Sequence, residues 1–312
     1  MQEIHSNNSS IAFNDEIDLS DLINALFQGK WIIVLVITFL SISGVIYSLS
    51  LPNIYKSTAL LAPVETSSVS EAMRSYSGIA GLAGISLPSG DDQNNSIKAL
   101  KKLNSLSFFE NNIFPNIFLP DLMAVKSWDP NTNKLLYNEN LYNKDSNTWV
   151  RDYSHPKKQI PSAQESYTIF LKHFSISEDK KTGFINMAIK HQSPYVAKEW
   201  AILLIDEVNS FYRQKDKSES QKRTLYLNEQ IAKTNLSEIK QVIAQLLQQD
   251  TQKLALIEAN QYYVFDFIDP PAAMELKSAP RRSVICILFS LCGLVLGIVL
   301  VLIKHYGFRK KV

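Results

Sequence analysis

Two uncharged apolar runs lie near the two ends of this chain, and a more polar stretch of about 230 residues separates them. The first run covers 31–51 and the second covers 284–303. A helix of about twenty residues is about 30 Å long, which matches the hydrocarbon core of a bilayer. The pattern therefore predicts two transmembrane helices, with both termini on one side of the membrane and 52–283 on the other.

Basic residues lie on both sides of the second apolar run. Segment 304–312 carries four lysines or arginines, and segment 277–282 carries three. Short tails weigh more than long domains in the positive-inside rule, so the tail decides the orientation. We expect 1–30 and 304–312 to be cytoplasmic and 52–283 to lie outside the cytoplasm.

Residues 16–29 have apolar side chains at helical spacing, with Asp18 and Asp21 in the first turn. The helix dipole favours negative charge there, so the segment is predicted to be a short amphipathic helix on the membrane surface. An ordinary juxtamembrane linker is the alternative. A secretory signal peptide fits poorly, because the leader is about thirty residues long and acidic where a short basic region is expected.

The middle stretch mixes strand and helix patterns. β-forming residues and alternation predict strands at 54–64, 174–178, 184–191 and 262–268. Helical spacing predicts helices at 96–112 and 162–173. Segment 128–161 is irregular and rich in aromatic and amide side chains; we interpret it as a surface excursion, with sugar binding as the alternative.

A long helical arm is predicted after Ser193-Pro194, a cap followed by the residue best tolerated at the first helical position. Segment 214–224 has no apolar residue, so a helix there either projects into solvent or breaks near Ser218. The apolar spacing then resumes, with Asp250 interrupting it, and the turn of the hairpin is expected at 235–237.

Composition and motifs argue against several functions. The net charge of +2 gives no sign of a nucleic-acid partner. Both cysteines lie within the second apolar run, so the middle domain has no disulfide. The glycine-rich segment 77–90 lacks the lysine and hydroxyl residue of a phosphate-binding loop, and His155 has no ligand at metal spacing. We expect no catalytic residue, no metal and no cofactor.

The second apolar run contains Gly293 and Gly297 in a G-x-x-x-G pattern, which permits close helix contact. Ser41, Ser43 and Gly44 of the first run are the expected partners. Before the second run, Pro280 stiffens the bilayer entry, and Arg281 and Arg282 are expected to pair with lipid phosphates; a generic interface is the alternative.

Both ends of the chain resemble one family. The segment EIDLSDLINALFQGKW before the first run, the strand IYKSTALLAP after it, and the proline and arginine approach to a glycine-containing second run are similar to polysaccharide co-polymerases. These are the chain length determinant (Wzz) proteins of Gram-negative inner membranes. The proline pattern is sparser here than in the family. The residues that carry the resemblance are Ile17, Asp18, Leu19, Pro270, Pro271, Pro280, Arg281 and Arg282.

The resemblance implies an α+β membrane protein of the inner membrane. Its two transmembrane helices bracket a periplasmic domain, 52–283, with a membrane-proximal α/β base and an extended, coiled-coil-like arm at about 194–260. It also implies a ring-shaped homo-oligomer that works with membrane lipids, a separate O-antigen polymerase and its undecaprenyl-linked polysaccharide. Such proteins set the chain length of the O-antigen of lipopolysaccharide or a related polysaccharide, and they are not enzymes.

Five basic residues of the arm are candidate polymer contacts, with an ordinary solvated helix face as the alternative. They are Arg213, Lys215, Lys217, Lys222 and Arg223. Two other functions remain open. One is a capsule or exopolysaccharide export co-polymerase, whose tyrosine kinase we expect to be a separate protein. The other is a periplasmic sensor ectodomain, a class that normally continues into a cytoplasmic signalling module.

Overall fold

A computed structural model of the chain describes residues 19–64 and 92–309. The chain divides into two compact units, Met1–Leu51 with Pro280–Val312, and Pro52–Ala279. The glycine-rich segment 77–90 and the motif residues Ile17 and Asp18 lie outside the described residues.

The first unit, here called the apolar unit, contains three helices among its described residues. They are α1 (Leu19–Gln28), α2 (Lys30–Ser50) and α8 (Arg282–Arg309). Within 19–64 and 92–309, two segments are long and apolar enough to cross a membrane, Lys30–Ser50 and Arg282–Tyr306, and most of their side chains are exposed. The predicted helices are thus confirmed as helices. The surface location of α1 stays a prediction.

The second unit, Pro52–Ala279, is here called the base and arm. Its strands are β1 (Tyr55–Pro63), β2 (Val125–Asp129), β3 (Lys134–Tyr137), β4 (Tyr142–Asn143), β5 (Thr148–Trp149), β6 (Phe174–Glu178), β7 (Ile185–His191) and β8 (Phe265–Asp269). Its helices are α3 (Asp92–Leu103), α4 (Leu119–Met123), α5 (Ala163–His173), α6 (Pro194–Lys233) and α7 (Ser237–Ala259). Short helical turns cover Leu106–Phe108, Phe109–Ile113 and Phe114–Asn116.

The main sheet has four strands in the order β6-β7-β1-β8, and every neighbouring pair is antiparallel. All four strands were predicted. β8 begins three residues later than expected, at Phe265, because the backbone N–H groups of Tyr263, Val264 and Phe265 bind the side chain of Asn209.

The first half of α6 packs with α5 and the turns around Phe108 to bury one hydrophobic core with the sheet. Ser193 is the N-cap residue of α6 and Ser162 is the N-cap residue of α5. Each serine side chain accepts a hydrogen bond from the backbone N–H three residues later. The largest core side chains include Phe108, Phe109, Phe170, Leu61, Met187, Ile189, Trp200, Leu204, Ile205 and Phe265. Helical spacing and strand alternation had placed most of these positions on inward faces.

Two predictions for the base were wrong in detail. The helix expected at 96–112 ends at Leu103, where Ser105 caps a new turn by accepting a hydrogen bond from Phe108 N–H. The irregular segment 128–161 includes parts of two small hairpins, β2–β3 and β4–β5. Asn133 and Asn147 adopt positive φ angles of 51° and 52° in their turns, a conformation that asparagine tolerates and that short loops exploit.

The arm is a hairpin of α6 and α7, with the turn at 234–236. The expected turn is confirmed, and of the two alternatives for 214–224 the unbroken helix is correct. In this part of the arm, polar side chains make contacts in place of the missing apolar ones. Asp216 accepts a hydrogen bond from the Tyr263 hydroxyl at 2.6 Å, and Asp250 accepts one from Arg223 at 2.7 Å.

His191 is a buried histidine at the end of β7. Its Nδ1 accepts a hydrogen bond from Ser193 N–H at 3.0 Å, so its Nε2–H donates to the Asp121 carbonyl at 2.9 Å. This arrangement needs a neutral ring. Burial lowers the pKa of His191 to about 4, and burial also lowers the pKa of the neighbouring His173.

We expect the base to lose stability in acid because of His191. Between pH 6.5 and about 4, His191 is protonated in the unfolded chain but stays neutral in the folded chain. The free energy of unfolding therefore falls as the pH drops through this range. The loss is about 2 kcal/mol at pH 5 relative to pH 8. Thermal unfolding of the detergent-solubilised chain at both pH values measures it. His191→Gln should be less pH-dependent, and an unchanged dependence would contradict this assignment.

Candidate functional site

A cleft of about 450 Å³ lies between one face of α6 and the chain segment that returns from the arm. It is here called the return cleft. The return segment, residues 261–271, supplies the far wall from within β8 and from the residues on either side of it. The lining residues are Ile202, Asp206, Asn209, Ser210, Arg213, Gln261, Tyr262, Phe267, Pro270 and Pro271.

Helical geometry explains the α6 side of the return cleft. Asp206, Ser210 and Arg213 are separated by four and then three residues, so they share one face of the helix. The seven residues from Asp206 to Arg213 rise about 10 Å along the axis. A carboxylate and a guanidinium thus border the cleft about two helical turns apart, with a hydroxyl between them.

Asn209 fixes the return segment against α6. Its Oδ1 accepts hydrogen bonds from the N–H groups of Tyr263, Val264 and Phe265 at 3.3, 2.8 and 3.0 Å. Its Nδ2 donates to the Phe265 carbonyl at 2.9 Å. Asn209 is 5% exposed, so these bonds form away from water. A single amide therefore holds the beginning of β8 and the two walls of the return cleft together.

Arg213 is held at one end of the cleft. Its Nη2 donates to the carbonyls of Asn260 and Gln261, at 2.7 and 2.5 Å, where α7 ends. Its Nε is buried and has no hydrogen-bond partner among the described residues. The guanidinium is thus already oriented and still has donor capacity.

The other polar groups of the cleft are less constrained. Burial raises the pKa of Asp206, and the structure gives this carboxylate no hydrogen-bond partner in 19–64 and 92–309. Ser210 is exposed. The rings of Tyr262 and Phe267 meet edge to face with centroids 5.9 Å apart. The cleft therefore combines acceptors, donors and aromatic carbon, and its two charged side chains have opposite signs.

Three of the residues singled out in the sequence line the return cleft: Arg213, Pro270 and Pro271. Pro271 is buried and Pro270 is exposed. The sequence did not predict that these three residues lie together. It also did not indicate the other lining residues, which are Asp206, Asn209, Ser210, Gln261, Tyr262 and Phe267. The spacing on α6 was visible, but nothing in it indicated that the return segment, about fifty residues later, packs on that face.

The other candidate polymer contacts lie further along the arm. Most are engaged within the chain: Lys215 with Glu219 at 3.9 Å, Lys217 with Glu258 at 2.5 Å, and Arg223 with Asp250 at 2.7 Å. Lys222 is exposed. Hydrogen bonds from Arg223 explain how Asp250, which interrupts the apolar spacing, is accommodated at 7% exposure.

Small residues mark the contact between α2 and α8 in the apolar unit. A Cβ atom added to Gly293 would lie 2.9 Å from Ile37 Cα, and one added to Gly297 would lie 3.0 Å from Ile33 Cα. On the other helix, a Cβ at Gly44 would lie 2.7 Å from the Phe289 Cβ. A hydrogen bond of 2.8 Å also joins the hydroxyls of Ser41 and Ser290. These glycines therefore permit the close approach of the two helices.

The approach to α8 contains the remaining motif residues. Pro280 is half-buried, Arg281 is exposed, and Arg282 is the first residue of α8. Within the described residues, no group of three or more histidine, cysteine, aspartate or glutamate side chains is placed to hold a metal ion.

Comparison with known proteins gives one family. The family model described as Wzz, chain length determinant protein, matches residues 15–108. No curated protein matches the chain. A solved structure of a full-length bacterial polysaccharide co-polymerase is similar at 13% identity with a TM-score of 0.41, covering 94% of this chain and 99% of that one. A fragment of WzzB, a polysaccharide co-polymerase from Salmonella Typhimurium, is similar at 13% identity with a TM-score of 0.32, covering 73% and 100%. The family match spans α1, α2, β1 and α3, and residues 15–108 are therefore similar to the Wzz chain length determinant family, in agreement with the sequence resemblance.

Proposed function

We propose that this protein regulates the chain length of the O-antigen of lipopolysaccharide or a related surface polysaccharide. The observation that carries the proposal is the match of residues 15–108 to the chain length determinant family. The matched residues include an apolar helix, α2, followed directly by the central strand β1. The chain acts as a co-polymerase, and a separate O-antigen polymerase makes the polymer on its undecaprenyl-linked carrier.

The proposed arrangement places the protein in the inner membrane of a Gram-negative bacterium. Helices α2 and α8 are the two spans, which their length and mean hydropathy support. Residues 52–283 then lie in the periplasm, with 1–30 and 304–312 in the cytoplasm. Several copies form a ring, and Arg281 and Arg282 pair with lipid phosphates. The protein regulates the polymerase and does not itself catalyse a reaction.

Deleting the gene and separating the cell's lipopolysaccharide on a gel tests this function. We expect the preferred band length to disappear and to return when the chain is expressed from a plasmid. Loss of capsule with a normal lipopolysaccharide ladder would instead support export with a separate tyrosine kinase. Unchanged polymers of both kinds would contradict the proposal and favour a sensor.

The contact between polymer and arm is a second element of the proposal. Because Lys215, Lys217 and Arg223 already pair with carboxylates, Lys222 is the basic residue of this group whose exposure best suits an external partner. Arg213 belongs instead with the return cleft.

A further inference from the structure

We infer that the return cleft binds a short saccharide segment, one or two sugar residues long, of the polymer whose length the protein regulates. This inference rests on the proposed function, because that function supplies the ligand. It adds a binding site in the base, at the foot of the arm, formed by α6 and the return segment.

The size of the cleft suits such a segment. Its volume of about 450 Å³ lies within the range of about 300–1,000 Å³ that small-molecule sites occupy. Its lining includes the exposed residues Asp206, Ser210 and Pro270, so a polymer can enter without its ends having to be threaded. A site of this kind can hold an internal part of a chain.

The polar groups match the hydroxyls of a sugar. Each sugar hydroxyl both donates and accepts, so it needs an acceptor and a donor nearby. The Asp206 carboxylate only accepts, the Arg213 guanidinium only donates, and the Ser210 hydroxyl does both. Gln261 adds an amide beside Arg213. Asp206 is exposed and has no hydrogen-bond partner in the described part of the chain, so its carboxylate is available to accept a hydrogen bond from a ligand hydroxyl.

The aromatic rings match the other face of a sugar. Pyranose rings carry patches of C–H groups between their hydroxyls, and these patches pack well against aromatic carbon. Tyr262 and Phe267 both line the cleft, and their edge-to-face contact fixes their relative orientation. A cleft with one carboxylate, one guanidinium and two rings suits an uncharged or weakly charged saccharide better than it suits a free phosphate.

The walls of the cleft are ordered before a ligand binds. Asn209 ties the return segment to α6 through four hydrogen bonds, and Arg213 is held by two carbonyls. Binding therefore loses little side-chain entropy on these residues, which favours a weak ligand such as a sugar.

The test uses the full chain in detergent and the O-polysaccharide released from the host's own lipopolysaccharide by mild acid. Saturation-transfer NMR reports binding. Ser210→Trp fills the cleft with an indole, and Ser218→Trp places the same side chain at an exposed position on α6 outside the cleft. We expect the wild type and Ser218→Trp to bind equally and Ser210→Trp to bind at least tenfold more weakly. Tyr262→Ala, which removes one ring without adding volume, should also weaken binding.

Three results would overturn the inference. One is that the wild type does not bind the polysaccharide. Another is that Ser210→Trp and Tyr262→Ala, with unchanged thermal unfolding, bind as the wild type does. The third is that these two variants change the size of the detergent-extracted assembly and leave polysaccharide binding unaffected. The cleft would then be a contact between copies of this chain. If deletion alters the polymer but Ser210→Trp restores the normal length, only the cleft assignment fails; if deletion alters nothing, the proposed function fails.

Discussion

Asn209→Leu is expected to lower the free energy of unfolding of the base and arm by about 4 kcal/mol, because it removes the partner of several buried backbone groups at once. Leucine has the same number of non-hydrogen side-chain atoms as asparagine and branches at the same atom, but its methyl groups are larger, so some overpacking adds to the loss. The variant leaves the N–H groups of Tyr263, Val264 and Phe265 and the Phe265 carbonyl without this side chain. For a unit of this size the loss corresponds to about 10 °C in melting temperature.

Intrinsic fluorescence of the detergent-solubilised chain measures this transition, since Trp200 is buried in the core of the base. Asn235→Leu is the matched control, because Asn235 is exposed at the turn of the arm. It should leave the melting temperature within about 1 °C, as surface substitutions usually do. If both variants unfold alike, Asn209 does not stabilise the return segment as described.

Gly293→Ile should separate α2 from α8. The new side chain would begin 2.9 Å from the Ile37 backbone, which cannot move aside as a flexible side chain can. Overpacking of this kind costs about 1–3 kcal/mol or forces the backbones apart. The measurement is disulfide formation between cysteines introduced at Ser41 and Ser290, whose hydroxyls lie 2.8 Å apart, in a chain with Cys286→Ser and Cys292→Ser.

We expect the cross-linked fraction to fall about tenfold in Gly293→Ile, in line with the 1.4 kcal/mol that a factor of ten represents. The control places isoleucine at position 292 instead, because Cys292 is exposed. Equal cross-linking in the two variants would show that the close approach of these helices does not depend on Gly293.

Regular patterns made much of this fold predictable. Three features could be predicted because each depends only on residues close together in the chain. They are the apolar runs, the alternation in the strands and the start of α6 at Ser193-Pro194. The turn between α6 and α7 was also predicted, within one residue. The order β6-β7-β1-β8 was not predicted, because alternation gives the face of a strand and not its partner.

The return cleft was harder to predict for a related reason. Asn209 and Asp250 both look misplaced in an apolar spacing, and only their partners explain them. Asn209 binds the backbone about 55 residues away, and Asp250 binds Arg223 on the other helix of the arm. Such pairs depend on the hairpin closing with one particular register, which single-residue preferences do not specify.

The continuity of α6 has a mechanical consequence. Its 40 residues include Trp200 in the core, the α6 wall of the return cleft and the first helix of the arm hairpin. It has no proline or glycine after the first turn. A helix with no such hinge resists sharp kinking. Movement of the arm tip near Lys233 would therefore displace Asp206 and Arg213. Conversely, a ligand that draws the walls of the return cleft together would tilt the tip of the arm.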